Sequence, residues 1–271
     1  MNERSELEKT SGVREFGKID AHVFQAEVMA VNEPAVLRGQ VDGWPAVQAA
    51  GTSPQGLADF LRTHDTGKPI DTYCGAPEIQ GRFFYSDDLR GFNFERRNLG
   101  FSAFVDMLLK HLDDPSPPSF FAGAVRVPEV LPGLVPSHTH GLLDPGMEQL
   151  VSMWIGNRTR TAAHFDLPQN LACVVSGRRR FTLFPIEQLS NLYVGPLEFT
   201  LAGQAISLVD FHEPDFERFP RFREAMKHAR VAELGPGDVL YLPSLWWHHV
   251  ETLDPFGLMI NFWWRDAPAY M

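Results

Sequence analysis

Two hydrophobic periods divide the chain. In the first third, apolar residues recur at helical spacing. Ser53-Pro54 opens a predicted helix, with Ser53 as N-cap, Pro54 at the first helical position, and Leu57, Phe60 and Leu61 on one face. Ser102 is predicted to cap a second helix whose stripe is Phe104, Val105, Leu108, Leu109 and Leu112. The Asp113 to Pro118 run stops it. Around these lie a short strand at 34–39, a second at 81–85, and a loop-like, mixed-charge stretch at 89–99. From residue 119 onward the period falls to two. Strands are predicted at about 119–125, 149–155, 159–166, 171–176, 179–184, 205–209, 230–234, 238–242, 247–252 and 257–265. A helical turn near 186–192 and a helix near 221–228 interrupt them, and 128–146 reads as a long Pro/Gly/His loop.

Many short strands separated by turn residues, without long helices alternating between them, predict a mainly β fold of sandwich or jelly-roll type rather than a parallel α/β sheet. No linker interrupts the pattern. The expected organisation is a flexible tail over 1–18 and a single domain over 19–271. Within that domain, a helical and mixed flank at about 19–118 precedes a β core at about 119–268.

Composition narrows the function. The 271 residues are 44% hydrophobic, enough to bury a sizeable core, and the formal charge is −10. That charge argues against a nucleic-acid or anionic-membrane surface. The polar start MNERSELEKTSG has no apolar signal core, no run reaches a membrane span, and two cysteines make no disulfide framework. A cytoplasmic protein is therefore expected, with Cys173 in LACVV as a core thiol.

The candidate chemistry centres on Thr161 to Phe184, TAAHFDLPQNLACVVSGRRRFTLF. On a strand, His164 and Asp166 would share a face, and imidazole beside carboxylate begins a divalent metal site. Such a pair arises easily by chance among 10 histidines, and it can equally be a buried hydrogen-bonded pair. A third ligand must come from another strand, and LYLPSLWWHHV at 240–250 offers one. Two His and one carboxylate leave metal positions open, as in non-haem Fe(II) oxygenases. Of Arg178-Arg179-Arg180 only alternate members can point inward. Arg179 is expected inside, where its fork would hold a carboxylate. Arg178 and Arg180 read as a solvated strand edge.

The words TAAHFDLPQN, SGRRRFTLFP, GPGDVLYLPSLWWHHVE and NFWWRDAP, with PAVLRGQVDGWPAV near the start, resemble the JmjC/cupin-like (cupin-8 type) Fe(II)- and 2-oxoglutarate-dependent oxygenases, and among them an asparaginyl hydroxylase. The likeness covers roughly residues 30–268. It implies a double-stranded β-helix core. It further implies Fe(II) on His164, Asp166 and His248, and 2-oxoglutarate contacts from Thr161, Asn170 and Asn261, with Arg179 on the far carboxylate and O2 as the oxidant. His248 is taken as the ligand because the family uses the first of the WWHH histidines. Two departures are visible. Arg179 stands where the family has a lysine, and Phe120 and Phe121 stand near its co-substrate tyrosine.

The resulting expectation is an oxygenase that hydroxylates a protein or peptide side chain, with no nucleic-acid or membrane partner. The alternatives are an oxygenase acting on a small molecule and a metal-binding cupin-type module without turnover. His249 is expected to pack on the opposite face from His248. His138-Thr139-His140 reads as a loop feature able to touch substrate rather than a second metal site.

Overall fold

The computed structural model describes residues 11–265. Two sheets carry the fold. The smaller has six strands in the spatial order Ser11–Gly12, Arg230–Leu234, Arg179–Phe184, Trp247–Thr252, Arg160–His164 and Arg82–Phe83. The larger has nine, in the order Arg14–Phe16, Ala35–Leu37, Val239–Leu242, Gln169–Ser176, Gly257–Trp264, Leu150–Gly156, Ser119–Arg126, Pro69–Gly75 and Glu95–Gly100. Most pairs in the core are antiparallel. The architecture is the mainly β jelly roll that the period-two pattern predicts.

Strand alternation sorts side chains into three layers. Between the sheets lie Ala172, Val174, Phe181, Leu183, Leu240, Leu242 and Met259. Their sequence neighbours face outward. Leu171, Cys173 and Ile260 meet the helices on the outer side of the nine-stranded sheet. Phe184 and Trp247 meet Phe211, Phe222 and Met226 on the outer side of the six-stranded one. Each fully buried large apolar side chain in these layers contributes roughly 1.5–3 kcal/mol.

The helix Pro54–Arg62 forms as predicted. Ser53 is extended and its hydroxyl accepts from the Gly56 N–H at 2.9 Å, while Leu57, Ala58 and Leu61 are buried. The next helix, Phe101–Lys110, buries Phe101, Phe104, Val105 and Leu108. Here Ser102 is not the cap. Gly100 holds that position, and the Asp65 carboxylate accepts from both the N–H and the hydroxyl of Ser102, at 3.2 and 2.6 Å.

Several boundaries move. Residues 11–16 are not a tail: their two short strands pair in parallel with Arg230–Leu234 and Ala35–Leu37. Residues 1–10 lie outside the described residues. The flank does not stand apart from the core, because Ala35–Leu37, Pro69–Gly75 and Glu95–Gly100 extend the nine-stranded sheet. The last of these replaces the predicted loop at 89–99. No strand forms at 205–209, where a single bridge joins Val194 to Ser207.

Tight corners pass the chain from one sheet to the other. Gly177 has φ +69°, and a Cβ there would sit 2.8 Å from the Phe256 carbonyl, so Arg179 enters its strand from a corner only glycine can make. In the Gly235-Pro236-Gly237-Asp238 corner, the Asp238 carboxylate accepts from the Gly39 and Gly235 N–H groups and from Arg38 Nη1 at 2.7 Å. Two of the sequence's recognisable words are thereby fastened to each other.

Candidate active site

One cavity opens between the sheets. It is lined by Thr161, His164, Asp166, Asn170, Arg179, His248 and Asn261, together with Phe121, Trp154, Phe181, Leu242, Val250, Met259 and Trp263. Every metal ligand and co-substrate contact named from the sequence therefore faces the same space.

His164 and His248 sit directly opposite each other on adjacent strands, with ring centroids 4.2 Å apart. A register shift between the pairs His248–His164 and Val250–Thr161 puts an extra residue on the Arg160–His164 strand, so that Thr161 and His164, three apart, both face the cavity. Asp166 arrives differently from the expectation. Its strand ends at His164, so the carboxylate is carried by the corner that follows, not by the strand face. That corner is pinned to the turn preceding His248. The Leu245 N–H donates to the Asp166 carbonyl at 2.9 Å, and the Ser244 hydroxyl donates to the Leu167 carbonyl at 2.6 Å. The ligand atoms of His164, Asp166 and His248 lie within 4.8 Å of one another, the one such group among the described residues.

The tautomers follow from the outer partners. His164 Nδ1 lies 2.9 Å from the Ala162 carbonyl, and His248 Nδ1 lies 3.0 Å from the Trp246 carbonyl. A carbonyl only accepts, so both Nδ1 atoms carry the proton and both Nε2 lone pairs are free for a metal. Burial and the neighbouring His164 push the His248 imidazole down to about 4, which keeps it neutral at ordinary pH. Asp166 Oδ1 accepts from Gln204 Nε2 at 3.0 Å. Nothing in the local sequence marked Gln204, which reaches the site from 38 residues away on an irregular segment.

Arg179 lies in the same cavity. It pairs across its strand with Thr252, four residues beyond His248, so its backbone is roughly 13 Å further along the sheet. It is 3% exposed, whereas Arg178 and Arg180 turn outward to Asp254 and Glu233. Burial pushes the Arg179 guanidinium down to about 10, so it remains charged at neutral pH. Its Nη2 donates to the Trp154 carbonyl at 3.0 Å, and its Nε has no partner among the described residues. The indole N–H groups of Trp154 and Trp263 and the Oδ1 of Asn261 are likewise buried without partners. Asn261 Nδ2 donates to Asn170 Oδ1 at 2.7 Å. Phe121 forms part of the wall and offers no hydrogen bond, while Phe120 turns to the outer core.

Residues 21–270 match the family described as the cupin-like domain. The chain belongs to that family. Among curated relatives of this cupin-like domain, "tRNA wybutosine-synthesizing protein 5" of Danio rerio is 33% identical over 275 residues, covering 94% of this chain and 75% of that protein. "Lysine-specific demethylase JMJ31" of Arabidopsis thaliana is 25% identical over 274 residues, 90% of this chain and 48% of its own length. "HSPB1-associated protein 1" of Homo sapiens is 40% identical over 114 residues, 41% of this chain and 23% of its own length. The match thus spans under half of the human and plant relatives. JmjC-type members of the family generally use Fe(II) and 2-oxoglutarate.

The residues present suit both groups. The donor set is two neutral imidazoles and a carboxylate, the set that suits a first-row divalent metal with open positions. A buried arginine with an unpartnered Nε suits an anion. The remaining histidines serve elsewhere. His138 and His140 do not line the cavity. His138 Nε2 accepts from the Ala46 N–H at 3.3 Å, and His140 Nε2 meets Gln149 Oε1 at 2.9 Å, both within the helical side of the core. Among the described residues no helix is long and apolar enough to cross a membrane.

Proposed function

We propose that this cupin-like domain is an Fe(II)- and 2-oxoglutarate-dependent oxygenase that hydroxylates a C–H bond, with a protein or peptide side chain as its substrate. The observation that carries this reading is the pairing, in one cavity, of a three-ligand cluster with a buried arginine that has no carboxylate partner among the described residues. His164, Asp166 and His248 would hold the metal. Arg179 would hold the far carboxylate of 2-oxoglutarate, with Thr161, Asn170 and Asn261 along the cavity between. The loaded centre supplies oxidation of the substrate by O2, coupled to conversion of 2-oxoglutarate to succinate and CO2. The chain supplies the rest. Its two backbone-bonded histidines keep their metal-facing nitrogens unprotonated, its arginine fixes the co-substrate's direction, and Phe181, Leu242, Val250 and Met259 exclude water.

The relatives' names suggest demethylation of lysine and modification of tRNA. The net charge of −10 argues against a nucleic-acid substrate, so a nucleic acid ranks below a polypeptide here. A metal-binding module without turnover is a second reading, favoured by the Phe121 wall that gives the co-substrate no hydroxyl.

Anaerobic titration separates the two. Fe(II) and then 2-oxoglutarate are added to the metal-free protein while the visible charge-transfer band of the chelate is followed. The oxygenase reading expects the band in the native protein, its loss in Arg179→Ala, and its partial return in Arg179→Lys. Metal binding with no band at any 2-oxoglutarate concentration overturns it in favour of the module.

A further inference from the structure

A second cavity adjoins the first. The two share Phe121, Trp154, Thr161 and His164 as a common wall, so the second space lies alongside the first and reaches His164 of the three-ligand cluster. Its remaining walls are chiefly Tyr73, Phe83, Leu201 and Ile206. No Asp, Glu, Lys or Arg lines it.

Two of the polar groups that reach it are already engaged, while the Trp154 indole N–H on the shared wall is not. The Tyr73 hydroxyl donates to the Leu201 carbonyl at 3.1 Å, and the Gln204 amide donates to Asp166. The rings pack on one another rather than forming a cage of free faces. Phe83 stacks on Phe121 at 5.8 Å, and Tyr73 stacks on Phe94 at 4.6 Å. Tyr73 also carries the Arg96 guanidinium 5.5 Å from its centroid. An ammonium entering this space would be desolvated with no carboxylate to meet it and one aromatic face already serving a cation. A carboxylate would find no cation, because Arg179 belongs to the other cavity. An uncharged, mainly hydrocarbon group meets apolar and aromatic surface on most sides.

A flap covers the space. Val194 and Ser207 bridge its base, and the Tyr73 and Tyr85 hydroxyls hold the carbonyls of Leu201 and Phe199, at 3.1 and 2.6 Å. The flap's Gln204 touches the metal-site carboxylate directly.

We infer that this aromatic annex receives an uncharged, apolar side chain of the substrate, leucine- or phenylalanine-like, and directs it at the metal end of the neighbouring cavity. The inference rests on the oxygenase reading above and narrows it. It places methylated lysine, arginine and acidic side chains outside the substrate class.

The test is ligand-observed saturation-transfer NMR on the whole chain loaded with diamagnetic Zn(II), which takes the same ligands. The probes are capped Gly-X-Gly tripeptides with X as leucine, phenylalanine, lysine, trimethyllysine, arginine or aspartate. Leucine and phenylalanine probes are expected to bind at least tenfold tighter than the four charged ones. Leu201→Trp and Ile206→Trp, which fill the annex, are expected to weaken them at least tenfold. Far-ultraviolet dichroism and an intact charge-transfer band with Fe(II) and 2-oxoglutarate show that the variants keep their fold and metal site. Equal or tighter binding of a charged probe overturns the inference, as does affinity unchanged in both folded variants. A native protein without the band but with apolar-selective binding sinks the oxygenase reading alone. A band without that selectivity sinks the annex alone.

Discussion

His248 and His249 are adjacent on one strand, both are nearly inaccessible, and burial pushes both imidazoles down to about 4. They nevertheless belong to two different surfaces. On the outer face, His249 stacks on Phe211 with centroids 4.7 Å apart, beside Glu251. Charges there are answered by the protein itself. Glu251 contacts His212 and Arg180, and Asp210 lies between Arg82 and Arg160. On the inner face, Asp166 has no arginine or lysine partner and Arg179 has no carboxylate partner among the described residues. A cation and an anion are both wanted, in one cavity, at separate places. Burial and a shifted imidazole therefore do not distinguish His248 from His249. The unanswered charge around His248 does.

The largest expected effect tests that contrast directly. Asp166→Ala should weaken Mn(II) or Fe(II) binding at least a thousandfold, since altering only an outer partner of a metal ligand costs roughly 10–100-fold. Glu251→Ala, an equally buried carboxylate three residues past His248, should leave metal affinity within about twofold and lower the unfolding midpoint instead. Calorimetric titration and thermal unfolding of both variants read the two effects separately. Metal affinity that falls equally in both would erase the distinction between the faces.

The next effect concerns pH. The unfolded imidazole titrates near 6.5 and the folded His249 near 4, so the folded state refuses a proton the unfolded chain accepts. The resulting stability is complete above about pH 6.5 and is lost as pH falls toward 4, to the extent of about 3 kcal/mol. His248 contributes in the same direction in the metal-free protein. His249→Phe preserves the stack on Phe211 and removes its share. Urea midpoints of the metal-free variant should decline less steeply between pH 6.5 and 4.5 than those of the native chain. Parallel declines would show that His249 is not held neutral by its burial.

Gln204 is a smaller lever on the inner face. Its amide occupies Asp166 Oδ1 and orients the carboxylate. Gln204→Ala should reduce metal affinity about tenfold, the low end for an outer partner, and Gln204→Glu should not restore it because a second carboxylate cannot donate. An unchanged metal isotherm for Gln204→Ala would make the contact incidental to the site.

What the sequence revealed, and what it hid, follows the reach of each interaction. Alternation is local, so the inward placing of Arg179, with its neighbours outward, could be read from three consecutive residues. The Ser53-Pro54 helix start was equally local. Glu95–Gly100 was missed because it is a polar edge strand with almost every side chain exposed, which leaves no buried face to produce a pattern. Ser102 looked like a cap because the competing Asp65 lies 37 residues away. Alternation alone puts Asp166 on a strand face, whereas it meets the histidines from a corner that Leu245 and Ser244 fasten from nearly 80 residues downstream. Gln204, Tyr73 and the annex they bound are products of the same long-range closure.

The smallest expected effect is the sharpest control on the inner face. Arg180 is paired with Glu233 across the adjacent strand, and both side chains are nearly half exposed, at 43% and 47%. Exposed pairs of this kind contribute at most about 1 kcal/mol, because solvent screens the attraction and two long side chains lose freedom. Arg180→Ala should therefore shift the unfolding midpoint slightly and leave 2-oxoglutarate affinity unchanged. In the proposed binding mode Arg179→Ala would remove a charge-assisted contact of about 1.5–3 kcal/mol, which corresponds to a loss of roughly 10–150-fold in affinity. The two variants delete the same guanidinium one residue apart, so net charge and composition are matched and only the face differs. If they weaken 2-oxoglutarate equally, the co-substrate senses overall charge rather than Arg179. The division of the sheet into an answered and an unanswered face would then lose its strongest support.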